Sequence, residues 1–160
     1  MMRIATLLLA LLLSLASGAS FAQGWLAGTP PADLGVKDGR LKPPSATSNS
    51  VSSQAHRYAG PGAEYAQIAP LAFRGDPAAA MRRLGEVVTA MPGATVIRST
   101  PDYLYAEFST RYLGFVDDAE FLLAPSEGVI HLRSASRLGS QDFGANRERI
   151  EALRSRFSTP

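Results

Sequence analysis

Three stretches in the second half of the chain alternate apolar and polar residues with a period of two, and this restricts the fold more than any other feature. In residues 103–109, Leu104, Ala106 and Phe108 share one side, with Tyr103, Tyr105 and Glu107 on the other. In 115–123, Phe115, Ala119, Phe121 and Leu123 oppose Asp118 and Glu120; in 129–134, Ile130 and Leu132 oppose His131 and Arg133. Strands of this pattern bury one face and leave the polar residues together on the other. The last two stretches, joined through Pro125-Ser126-Glu127-Gly128, read as a hairpin. Matching their apolar sides sets Phe121 opposite Ile130, Glu120 opposite His131 and Asp118 opposite Arg133, because a slip of one residue would bury the charged set.

Two helices are expected beside these strands. Asp76 and Pro77 open the first, over about 77–90, and Met81, Leu84, Val88 and Met91 form its apolar stripe before Gly93 stops it. The second spans about 143–157, capped by Ser140 or Asp142, with Ala145 or Asn146, Ile150, Leu153 and Phe157 turned inward. With a short strand at 94–98, the order is helix, four strands, helix. The expected fold is α+β, a mainly antiparallel four-stranded sheet with two helices on one face.

The first 22 residues place Arg3 before an apolar run, 4–15, and end in small residues up to Ala22, the order of a cleavable secretory signal. That run is about 12 residues, short of the roughly 20 a spanning helix needs, so no membrane span is expected after cleavage. The expected location is the periplasm or the medium. Residues 23–65 are rich in Gly, Pro and Ser (GTPPADLG, KPPSATSNS, AGPGAE) and read as a long irregular arm, with Leu34, Val36 and Leu41 spaced to lie partly against a compact domain at 66–160.

Composition removes several functions. The chain has no cysteine, which rules out thiol catalysis, thiolate zinc sites and a lipidated cysteine anchor. Without Arg3, the 16 Lys and Arg become 15 against 14 Asp and Glu, a balance that does not steer nucleic acid. Sequence fingerprints for nucleotide binding, zinc hydrolysis and a serine elbow are missing, and no cofactor is expected.

The polar face supplies the candidate site. Tyr103, Tyr105, Asp118, Glu120, His131 and Arg133, with Arg137 and Arg147 nearby, are candidates for contact with a polar ligand or an envelope protein; the same charges also read as a solvated ladder of ion pairs. His131, Glu120 and Asp118 carry the donor types of a divalent-metal site, to which Ser134 or Ser136 would add a hydroxyl for metal-assisted hydrolysis. Asp117 falls on the apolar side, so it marks a bulge, a functional carboxylate or an ion pair with Arg137 or Arg147. The start of the last helix would suit an anion beside Arg137 or Arg147, unless Asp142 is already that anion. Asp117, Asp142 and Asn146 are read as structural. Whether the chain is an enzyme stays open; a non-catalytic binding or structural module of the envelope is the first expectation, and an envelope hydrolase the second.

Several segments in one order resemble the family of domain of unknown function 1499: LGVKDGRL at 34–41, NSVSSQA at 49–55, IAPLAF at 68–73, DYLYAEF at 102–108, GFVDDAEF at 114–121 and IHLRSASRLGSQDFGANRERIEALR at 130–154. The resemblance implies a compact exported or membrane-associated domain without an assigned activity. Relatives commonly carry a cysteine pair where this chain has Pro44 and Ser50. If the pair is a disulfide, its loss implies a looser segment 43–50 with nothing evident in its place except proline stiffness.

Overall fold

The computed structural model describes residues 26–158. The expected signal at 1–22 lies outside these residues. Within them the chain forms β1 (Ser50–Ser52), α1 (Ala63–Ala66), β2 (Leu71–Ala72), α2 (Pro77–Thr89), β3 (Ala94–Ser99), β4 (Tyr103–Ser109), β5 (Val116–Ala124), β6 (Val129–Ser136) and α3 (Ala145–Ser158). The fold is α+β, with one six-stranded antiparallel sheet of order β1-β6-β5-β4-β3, in which β2 also pairs with β6.

The sheet is wider than four strands because the Gly/Pro/Ser-rich arm contributes to it. Ser50, Val51 and Ser52 pair with Ala135, Ser134 and Arg133, and β2 is a two-residue pairing of Leu71 and Ala72 with Ile130 and Val129. Among the described residues there are three α-helices, since α1 adds one turn in the connection between β1 and β2. At the opposite rim β3 pairs with β4 through a bulge between Val96 and Arg98, which leaves Ile97 exposed.

Helix α2 begins where the sequence places it: the Asp76 carboxylate accepts hydrogen bonds from the amides of Ala78 and Ala79, and Pro77 occupies the first turn. Gly93 reverses the chain with φ 74°, and a side chain there would meet the Ser109 carbonyl oxygen at 2.3 Å. Ala80, Met81, Leu84 and Val88 of α2, with Ile150, Leu153 and Phe157 of α3, pack on Leu104, Ala106, Phe108, Ala119, Phe121, Ile130 and Leu132. Both long helices thus cover the apolar face. Complete burial of Leu84, Phe121, Ile130, Leu132, Ile150 and Leu153 contributes about 1.5–3 kcal/mol each.

The register of the central hairpin differs from expectation. Phe121 faces Leu132, Glu120 faces Arg133, Leu122 faces His131 and Asp118 faces Ala135. The cause is the loop. Pro125–Glu127 form a single 3-10 turn and Gly128 adopts φ 65°, so Ala124 pairs directly with Val129 across four residues. The resulting slip of two residues keeps every side chain on its expected face.

Candidate functional site

The polar sides of β4, β5 and β6 do gather on one face, but that face is interior. Tyr103, Tyr105, Asp118, Glu120, His131 and Arg133 are all buried. The cover is the segment 33–43 of the arm. Its turn is a minute hairpin in which Lys37 and Arg40 exchange backbone hydrogen bonds around Asp38 (φ 52°) and Gly39 (φ 69°), left-handed conformations favoured by Asp-Gly. Leu41 then packs with Tyr103, Tyr105 and Leu122, and Leu34 lies against them.

Four side chains hold this strap by its backbone, one of them Tyr58, whose hydroxyl donates to the Leu41 carbonyl at 2.9 Å. The Gly35 amide donates to Glu120 Oε1 at 2.7 Å, the Leu41 amide donates to Gln54 Oε1 at 2.9 Å, and Arg133 Nε donates to the Pro43 carbonyl at 3.1 Å. Tyr103 also donates its hydroxyl to Glu120 Oε1 at 2.8 Å. Glu120, Gln54 and Arg133 each keep a further polar atom buried without a hydrogen bond: Glu120 Oε2, Gln54 Nε2 and Arg133 Nη1. Glu120 Oε2 and Arg133 Nη1 stand 3.8 Å apart, an ion pair too long for a hydrogen bond. Burial pushes the Glu120 carboxyl up from its ordinary value and the Arg133 guanidinium down. A cleft of about 400 Å³ is lined by the strap, including Asp33, Lys37 and the gripped residues Gly35, Leu41 and Pro43, and by Tyr58.

A second cluster centres on Arg137, which follows β6. Its Nε donates to both Asp118 oxygens (3.1 and 3.0 Å), and its Nη2 donates to Asp118 Oδ1 (2.7 Å), to the Tyr105 hydroxyl (3.1 Å) and to Glu107. Tyr105 completes the ring by donating to Asp118 at 2.6 Å. Burial works against the Arg137 charge, but the hydrogen bonds to Asp118 and Glu107 outweigh it and raise its pKa. Burial, reinforced by Glu120 and Asp118 respectively, raises both the Tyr103 and Tyr105 hydroxyls.

His131 belongs to neither cluster. Its Nδ1 lies 3.2 Å from Ser53 Oγ, and its Nε2 is 3.3 Å from Glu127 Oε2 without hydrogen-bond alignment. Ser53 Oγ also accepts the Leu132 amide at 2.9 Å, so this hydroxyl extends the β1–β6 pairing beyond Ser52. Asp118, Glu120 and His131 therefore have separate partners, and among the described residues no group of three His, Cys, Asp or Glu is placed to hold a metal. Ser134 lies on the helix side, donating to Asn146 Oδ1 at 2.6 Å, and Ser136 accepts from Asn146 at 3.0 Å.

The residues read as structural form a third network, beneath α3. The Asp142 carboxylate accepts from the Gly144 and Asn146 amides, the Asn146 side chain and the Tyr65 hydroxyl, and thereby caps the helix. Burial would raise this carboxyl, but the Asn146 side chain and the two amides hold it below its ordinary value. Arg147 donates to the carbonyls of Gln67 and Tyr65, so this helix start has its anion and its arginine accounted for within the chain. Asp117 is paired with Arg149 at 2.5 Å, in place of Arg137 or Arg147. Arg149 is the arginine of α3 that turns over Phe108, its guanidinium 4.9 Å from the ring.

Gln54, Ser53 and Gly35 carry contacts that strand alternation does not reveal, and all three fall within the segments 34–41 and 49–55 that carried the family resemblance. The model of the family described as "Protein of unknown function (DUF1499)" matches residues 40–157. The chain belongs to the DUF1499 family. No curated protein and no solved structure matches it. In this DUF1499 member the Ser45 amide donates to Ser50 Oγ at 2.8 Å, closing the 45–50 loop without sulfur.

Proposed function

We propose that this DUF1499 protein is an exported, non-catalytic binding module of the cell envelope, and that its site for a polar ligand is the covered face formed by Gln54, Glu120 and Arg133. One observation carries the reading. Each of these side chains holds the 33–43 strap with one atom and keeps a further polar atom buried without a hydrogen bond. Such atoms cost about 1–3 kcal/mol each, whereas a purely structural contact would be apolar or fully paired. A ligand offering an acceptor to Arg133 and Gln54 and a donor to Glu120, such as a peptide group, would complete all three. The cleft lined by the strap is the approach, since its wall is the segment that the three residues grip.

Catalysis has less support. Asp118 is engaged by Arg137, the tyrosine hydroxyls are held protonated and Ser53 Oγ is occupied by backbone. A metal-assisted hydrolase would need His131, Glu120 and Asp118 to converge, and each has a different partner.

The test is a thermal-shift and calorimetric panel of short carboxylates and dipeptides on the full chain, repeated with Gln54→Leu. Gln54→Leu keeps the volume and removes the unpaired amide nitrogen, together with the acceptor of the Leu41 amide. The expected result is at least one ligand that raises the melting temperature of the unaltered protein and does so less in the variant. No shift with any member of the panel, or equal shifts in both proteins, would overturn the reading.

A further inference from the structure

We infer, resting on that reading of the site, that the face beneath the 33–43 strap is a receptor for a segment of another polypeptide bearing a large aliphatic residue, and that the strap is its internal competitor. All four anchoring side chains grip main-chain atoms of the strap. The Gly35 amide donates to Glu120 and the Leu41 amide to Gln54, while the Leu41 carbonyl accepts from Tyr58 and the Pro43 carbonyl from Arg133. Leu41, 2% exposed, sits among Tyr103, Tyr105 and Leu122, whereas Lys37, Asp38 and Arg40 of the turn are exposed. Main-chain hydrogen bonds joined to a pocket for one side chain are how proteins read a peptide segment: the former supply affinity, the latter specificity.

The pocket does not depend on the strap for its shape. The Tyr103 hydroxyl is held by Glu120 at 2.8 Å and the Tyr105 hydroxyl by Asp118 at 2.6 Å, and both rings stand on β4, which is paired on both sides. A site built this way is ready for an occupant before one arrives, which lowers the cost of binding.

The strap itself is an imperfect occupant. Under it Glu120 Oε2, Gln54 Nε2 and Arg133 Nη1 are buried and unpaired, and Glu120 and Arg133 stay 3.8 Å apart. Opening the strap returns these atoms to water, so their desolvation opposes the burial of Leu41 that keeps it shut. The neck of the loop is closed by an ion pair at the surface, Lys42 to Asp33 at 2.5 Å, and the core beneath the helices contains no strap residue. A tethered segment competes at an effective concentration of roughly millimolar. A partner overcomes this by pairing the atoms that the strap leaves bare.

The test uses a fluorescein-labelled peptide with the sequence of residues 34–44, LGVKDGRLKPP, made with leucine or with alanine at the Leu41 position. Anisotropy measures its binding to the full chain, unaltered and as Leu41→Ala. The variant empties the pocket and loosens the strap; exchange protection at β5 amides reports its folding, and Asp33→Asn, which breaks only the neck, makes the same comparison should Leu41→Ala unfold. The leucine peptide should bind the loosened protein at least about ten-fold more tightly than the unaltered one, because the closed strap lowers the competent fraction. The alanine peptide should bind at least about ten-fold more weakly, and adding Gln54→Leu to the loosened protein should weaken both. Equal binding to unaltered and loosened proteins, or indifference to the leucine, would place the peptide elsewhere and overturn the inference. Small ligands that stabilise the unaltered protein while the peptide binds neither form would remove the displaceable strap and leave the ligand site standing; failure of both would remove both. Dimers of the unaltered protein that the peptide disperses would give the face to the strap of a second copy, which also overturns the inference.

Discussion

Replacing Arg137 with Met isolates a buried cluster of charge-assisted hydrogen bonds. Met keeps an unbranched apolar stem and removes the donors to Asp118, Tyr105 and Glu107. The side chains of Arg137 and Asp118 are 4% and 2% exposed, so water cannot replace the lost donors at Asp118, which keeps only the Tyr105 hydroxyl. Glu107 is 25% exposed and can be hydrated. Removing one partner of a buried pair costs about 3–5 kcal/mol, because a charge remains uncompensated. Against a total stability of roughly 5–15 kcal/mol this is a large fraction, and at about 4 °C per kcal/mol it lowers the melting temperature by about 10–20 °C. Adding Asp118→Asn removes the stranded charge, and the double variant should lose only about 1–2 kcal/mol. Urea unfolding with unchanged m-values measures all three. A loss below about 1 kcal/mol for Arg137→Met, or a double variant as costly as the two single changes summed, would refute this account of the cluster.

Two further predictions concern the strap and the carboxylates Asp142 and Glu120. Leu41→Ala should cost about 2–5 kcal/mol and speed hydrogen exchange at the Gly35 and Leu41 amides more than at β5 amides, because Leu41 is the strap's buried apolar anchor. Asp142 and Glu120 should give opposite pH dependences. The folded Asp142 carboxyl lies below its ordinary value of 3.8, so its stabilisation is present above that value and is lost as pH falls through the folded one. Asp142→Asn should therefore flatten the acid limb of a stability curve measured between roughly pH 2 and 5. The folded Glu120 carboxyl lies above 4.5, so its contribution is complete below 4.5 and is lost as pH rises through the folded value; Glu120→Gln should remove that loss.

What the sequence revealed follows from what each signal physically controls. Period-two alternation fixes which face a side chain occupies, and it placed Leu104, Phe121, Ile130 and Leu132 against the helices. It does not distinguish two registers that differ by two residues, since both bury the same set; the Pro125–Gly128 loop makes that choice. Composition misled at 50–52, because serines in a Gly/Pro/Ser-rich stretch look like loop although three residues suffice for a strand when Ser53 and Gln54 continue its hydrogen bonding. Alternation also suggested that the polar residues would face water. Only the backbone of 33–43 reveals their cover, since the grip on Gly35, Leu41 and Pro43 uses main-chain atoms that any residue could supply. The arginine opposite Asp117 depended on the rotation of α3, which brought Arg149 over Phe108 instead of Arg147.

The two rims of the sheet bear on how the protein behaves when crowded. A long, flat outer strand invites a second molecule to add its own strand and continue the ladder into a fibre. Here one rim ends in pairings of three and two residues, and the other is kinked at Ile97 with Arg98 beside it. Neither offers a straight template, so the protein should stay dispersed at high concentration without the help of a cross-link.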